Sequence, residues 1–127
     1  MTAREGLQVV HRRYVPASHA HYGGNLVDGA YVLGLFGDAA TELAIRSDGD
    51  EGLLAGYERV EFHAPVHGGD IVEVCATLTR VGRRSRSVQF TADVVCRSAP
   101  TRTASAADVL EPPLRVVSAI GTVVVPG

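Results

Sequence analysis

The chain has 127 residues, 46% of them hydrophobic and 20% charged, the size and apolar content of one globular domain spanning 1–127. Its 12 basic and 14 acidic residues leave a formal net charge of -2, so no broad basic field exists to hold a nucleic-acid backbone. No run approaches the roughly 18 apolar residues of a membrane span, and Met1-Thr2-Ala3-Arg4-Glu5-Gly6 lacks the apolar stretch of a secretory signal, which predicts a cytoplasmic protein with no nucleic-acid or membrane partner.

In chain order, residues Leu7 to Tyr14 read as a first strand that Pro16 cuts off. The segment Ser18-His19-Ala20-His21-Tyr22-Gly23-Gly24-Asn25 is a loop rich in turn formers, with Asn25 as the expected helix cap. From Leu26 to about Ile45, Leu26, Val32, Leu35, Phe36, Ala39, Ala40, Leu43 and Ala44 recur at spacings of three and four, the period of a buried helix. Gly29, Gly34 and Gly37 each cost about 1 kcal/mol against alanine in such a helix, which predicts close packing at all three. After the loop Ser47 to Gly52, strands are expected at about Leu54–His63, Ile71–Val81, Ser87–Arg97 and Arg115–Val124. Ser98 to Pro113, with Pro100, Pro112 and Pro113, reads as a connector without a strand of its own.

One strand, one long helix and four further strands predict an α+β domain of the hotdog kind, an antiparallel five-stranded sheet wrapped around a single central helix. The open edges of such a sheet predict a homodimer joined edge to edge, or a higher homo-oligomer. Cys75 and Cys96 sit in apolar strand-like runs and are expected to be buried reduced thiols.

The run His21-Tyr22-Gly23-Gly24-Asn25-Leu26-Val27-Asp28-Gly29-Ala30, followed by Leu35-Phe36-Gly37-Asp38-Ala39-Ala40-Thr41-Glu42-Leu43, resembles the 3-aminobutyryl-CoA ammonia lyase family. Asp48-Gly49-Asp50-Glu51-Gly52-Leu53, Val60-Glu61-Phe62, Ala64-Pro65-Val66, Gly69-Asp70, Ser105 to Glu111 and Gly121-Thr122-Val123 extend the resemblance over nearly the whole chain. The resemblance implies a carbon–nitrogen lyase that interconverts a 3-aminoacyl-CoA with the 2-enoyl-CoA and ammonia. It implies no cofactor, since coenzyme A is part of the substrate.

That chemistry needs backbone N–H groups for the thioester oxygen and a base for the proton alpha to it. Gly23 and Gly24, placed just before the expected helix, would let a ligand carbonyl approach the backbone closely, or else form a plain tight turn. The candidates for the base are Asp28, His21 and Asp38, with Glu42 near the same helix face. His19, Tyr22, Gly23, Gly24 and Asn25 are the candidate substrate-binding loop. Arg80, Arg83, Arg84 and Arg86 cluster at a hairpin end, and Arg84 and Arg86 are the candidate ligands for coenzyme A phosphates. Glu61 alternates with Val60 and Phe62 and reads as an oligomer contact. His63 and His67 lack a third ligand at metal spacing, so no metal site is expected.

Two other readings remain open at this level. One is a short-chain acyl-CoA thioesterase in which a helix carboxylate such as Asp38 activates water. The other is an acyl-CoA binding module without catalysis.

Overall fold

The computed structural model describes residues 5–127. The reading of the segment that begins at Met1 falls largely outside them. Seven strands and one long helix follow in the order β1 (Gln8–Tyr14), a 3-10 turn (Ala17–His19), β2 (Leu26–Val27), α1 (Gly29–Asp48), β3 (Leu53–Phe62), β4 (Val66–His67), β5 (Ile71–Val81), β6 (Ser85–Ser98) and β7 (Ala107–Val124). Five of the strands form one sheet in the order β1-β5-β6-β7-β3, every neighbouring pair antiparallel. This is the hotdog architecture, with β2 and β4 as a separate two-stranded ribbon.

The sheet curls over α1 because period two in the strands meets period 3.6 in the helix. Val72, Val74, Ala76 and Leu78 of β5 and Val88, Phe90, Ala92 and Val94 of β6 alternate inward and are buried. Val32, Leu35, Phe36, Ala39, Ala40, Leu43 and Ala44 form the facing stripe of the helix. Phe36 stacks on Phe90 at the centre, with ring centroids 4.9 Å apart, and burying each ring contributes about 1.5–3 kcal/mol.

The helix begins later than the sequence pattern suggests. Asn25 is not its cap: it sits in a turn with φ 61, and its Nδ2 donates to the Gly68 carbonyl at 3.0 Å. Leu26 and Val27 are drawn instead into pairing with His67 and Val66, and Asp28 takes the cap, its carboxylate accepting the Tyr31 N–H at 3.2 Å. At the other end Gly49, with φ 69, closes the helix in the left-handed conformation that glycine adopts without strain.

The segment Ser98–Pro113 is also more regular than expected. Cys96, Arg97 and Ser98 pair with Val109, Asp108 and Ala107, so only residues 99–106 form a loop. Pro112 and Pro113 are accommodated in β7 because the register breaks between Val94 and Cys96, leaving residues 110–113 bulged away from the ladder. Of the three helix glycines, only Gly29 is tightly packed. Gly34 and Gly37 have nothing within 4 Å of where a Cβ would stand. The two cysteines are free and half-buried rather than fully buried.

Candidate active site

An apolar concavity opens at the amino end of α1, with a volume of about 540 Å³. The helix supplies Gly29 and Val32, the β2–β4 ribbon supplies Val27 and Val66, and the end of β3 and the corner after it supply Phe62, Ala64 and Pro65. Val117 of β7 forms the floor. Asp28 is the only carboxylate on this wall. His63 also touches it, but its ring turns toward the outer face, where Nε2 lies 2.8 Å from Ser118 Oγ.

Asp28 is held there by a chain of local constraints. A buried ion pair closes the turn after β4: Arg97 Nε and Nη2 donate to the Asp70 carboxylate at 3.0 and 2.9 Å, and the His67 N–H donates to it at 2.7 Å. Arg97 Nη2 also donates to the Pro65 carbonyl at 3.0 Å. The turn so fixed carries Val66 and His67, which pair with β2 and set Asp28 at the mouth of the helix.

His21 reaches back to this carboxylate, with Nε2 2.8 Å from Asp28 Oδ1. The His21 hydrogen bond, aided by the Tyr31 N–H, holds the Asp28 carboxyl below its usual range, so the group is ionised at neutral pH. Its side chain is 24% exposed and that of His21 56%, leaving both open to an arriving molecule. Tyr22 lies against the His21 ring, centroids 4.5 Å apart, and His19 lies against Tyr31 at the same distance. The N–H groups of Gly29 and Ala30, in the first turn, have no acceptor within the helix and carry the positive end of its dipole.

The other sequence candidates are placed elsewhere. Gly23 and Gly24 form the turn that brings Tyr22 opposite Leu26, with Gly24 at φ 77, and they precede the helix by several residues. The glycine at the helix entry is Gly29. Asp38 lies ten residues beyond Asp28, roughly 15 Å along the helix axis, on a second groove where Arg13 Nη2 approaches it at 3.7 Å and Tyr31 and His19 form part of the wall. Glu42 is engaged by His11 Nε2 and Arg46 Nε, both at 2.7 Å, which hold its carboxyl below the usual range.

Arg86 is not a surface arginine. It is buried, donates to Asp48 through Nε at 3.0 Å and Nη2 at 2.6 Å, and donates to the Gly82 and Ser85 carbonyls at 2.8 and 2.9 Å. It shares the inward face of β6 with Val88, and four of its five N–H groups are engaged within the chain. Arg84 lies near the opposite end of the 20-residue helix from Asp28, a separation of roughly 30 Å along the axis. Phe62, Val66 and Val117 escaped the sequence reading as pocket residues because a strand residue that lines a cavity carries the same pattern as one that fills a core. Among the described residues no three His, Cys, Asp or Glu side chains converge to hold a metal ion.

Residues 24–94 match the family model described as the thioesterase superfamily. The chain is 54% identical over 110 residues, 87% of each chain, to the 3-aminobutyryl-CoA ammonia lyase of Acetoanaerobium sticklandii. Among solved structures, the beta-alanyl-CoA:ammonia lyase from Clostridium propionicum superposes with a TM-score of 0.90 at 36% identity, covering 96% of this chain and 87% of that one. A hexameric hotdog fold thioesterase of Campylobacter jejuni superposes with a TM-score of 0.73 at 20% identity over 98% of this chain and 84% of that one, a likeness of fold.

Proposed function

The chain belongs to the thioesterase superfamily and, within it, to the 3-aminobutyryl-CoA ammonia lyase family, and on that premise we propose that it eliminates ammonia reversibly from a 3-aminoacyl-CoA to give the 2-enoyl-CoA. The observation that carries this reading is the Asp28–His21 pair at the mouth of an apolar pocket, beside the unpaired N–H groups of a helix start.

The thioester oxygen accepts from the Gly29 and Ala30 N–H groups, which favour the negative charge that develops there. Asp28, ionised and within the pocket, takes the alpha proton. The electron pair of that C–H bond becomes the Cα=Cβ double bond, the Cβ–N bond breaks, and the nitrogen, bound as ammonium, leaves as neutral ammonia. No separate acid is required. His21, donating to Oδ1 from behind, orients the carboxylate so that it faces the alpha proton. The apolar wall packs along the acyl chain on its buried side. Coenzyme A enters as part of the substrate, and the reaction calls for no further cofactor.

The hydrolytic alternative assigns water activation to Asp38. That carboxylate opens onto the second groove, so a single chain does not bring it to the acyl pocket. We further assign the protein to the cytoplasm as a homo-oligomer: β1 and β3 are edge strands, and β3 carries the exposed apolar side chain Leu53. No helix among the described residues is long and apolar enough to cross a membrane.

The direct test adds crotonyl-CoA and ammonium to the protein near pH 8–9 and follows the enoyl-thioester absorbance. A fall without release of free thiol is the expected result. An unchanged absorbance at high enzyme overturns the reading, and thiol release converts it to a thioesterase.

A further inference from the structure

The acyl pocket sets a buried wall of valines against an exposed rim that carries one aromatic ring. Val27, Val32, Val66 and Val117 are buried, short and held by the elements on which they stand. Phe62 is large and 57% exposed. Its ring rests on the bare Cα of Gly29: a Cβ at that position would stand 2.6 Å from Cε1, 2.9 Å from Cζ and 3.2 Å from Cδ1 of the ring. Any residue other than glycine at the helix entry would therefore move the ring.

This contact lies where the reaction happens. Gly29 carries one of the N–H groups assigned to the thioester oxygen, so an acyl group bound there runs alongside the Phe62 ring before it meets the valines. We propose that Phe62, seated on Gly29, is the specificity-determining residue for the acyl chain beyond Cβ, and that it restricts the substrate to short 3-aminoacyl groups. The proposal rests on the ammonia-lyase reading for the carbon that reacts, whereas the length preference is a property of the pocket alone. Its strength follows from apolar packing, where one methylene gained or lost changes discrimination about 10–200-fold.

The test compares kcat/KM for crotonyl-CoA and 2-hexenoyl-CoA, each with ammonium, in the parent, Phe62→Ala and Phe62→Leu. The parent is expected to favour the four-carbon chain, Phe62→Ala to shift the ratio toward six carbons by about tenfold or more, and Phe62→Leu to fall between. Gly29→Ala is expected to shift the ratio as well, because the ring loses its seat while the helix gains a better former. In parallel, butyryl-CoA and hexanoyl-CoA, which cannot react, are titrated calorimetrically against the same proteins. A matching shift in their affinities supports the chain-length role even where the parent shows no turnover, a result that would count against the lyase reading alone. Unchanged ratios in both assays for folded Phe62→Ala and Phe62→Leu overturn the proposal.

Discussion

Each end of the central helix carries an aspartate hydrogen-bonded to a cationic or titratable partner, and the two ends are built for opposite purposes. At the amino end Asp28 faces His21 across 2.8 Å, both partly open to solvent and beside an apolar pocket. At the carboxyl end Asp48 faces Arg86 in a two-pronged pair, with side chains only 12% and 10% exposed, and Ser47 Oγ donates to Asp48 as well. In the proposed mechanism the first pair handles a proton and stays accessible, whereas the second is a fixed tie between the helix and the β5–β6 turn. A carboxylate on a helix says little about its task; the partner and the burial decide it.

Neutralising each end separates the two roles. Asp28→Asn retains the size and most of the capping geometry, so it is expected to lose at most about 1 kcal/mol of stability. Its turnover is expected to fall about 10²–10⁴-fold, the contribution of a positioned base. Steady-state rates on crotonyl-CoA and ammonium, read beside a thermal melt, check both. Retention of more than about a third of the parent rate, far outside that range, would move the assignment to His21. His21→Gln sharpens the result: members of one acid–base unit give strongly non-additive losses in the double variant.

At the far end the expectation reverses. Arg86→Ala strands the buried Asp48 charge and the Gly82 and Ser85 carbonyls, a loss of about 3–5 kcal/mol by comparison with other broken buried pairs. The melting temperature is expected to drop by about 10 °C or more, while the folded fraction retains the parent KM for acyl-CoA. A normal melt with a raised KM would restore Arg86 to the substrate.

The smallest expected effect is in the pH dependence of stability. Arg86 and Ser47 hold the Asp48 carboxyl below its usual range. A depressed native value means that the pair contributes fully above the unfolded carboxylate value of about 4 and is lost as pH falls through the lower native value. Denaturant midpoints of the parent are expected to decline on acidification below about pH 4, and those of Asp48→Asn to decline less over that window. Parallel curves would show that other carboxylates dominate.

Much of this molecule is written in local pattern. The buried stripe from Val32 to Ala44 and the alternation in β5 and β6 specify one helix against one sheet, because periodicity is a property of neighbouring residues. Asp28 and His21 are legible as candidates from their place around the glycine turn at the helix entry, and the structure brings them within 2.8 Å of each other. Three features were decided only in three dimensions. Asn25 gave up the helix cap because β4, some 40 residues on, draws Leu26 and Val27 into a ribbon. Arg86 became a buried tie because inward alternation on β6 meets the helix end at Asp48. Phe62 became a pocket wall because it lands on Gly29, 33 positions earlier in the chain. Such pairings join residues whose separation in sequence bears no fixed relation to their separation in space, so only the packed fold assigns them.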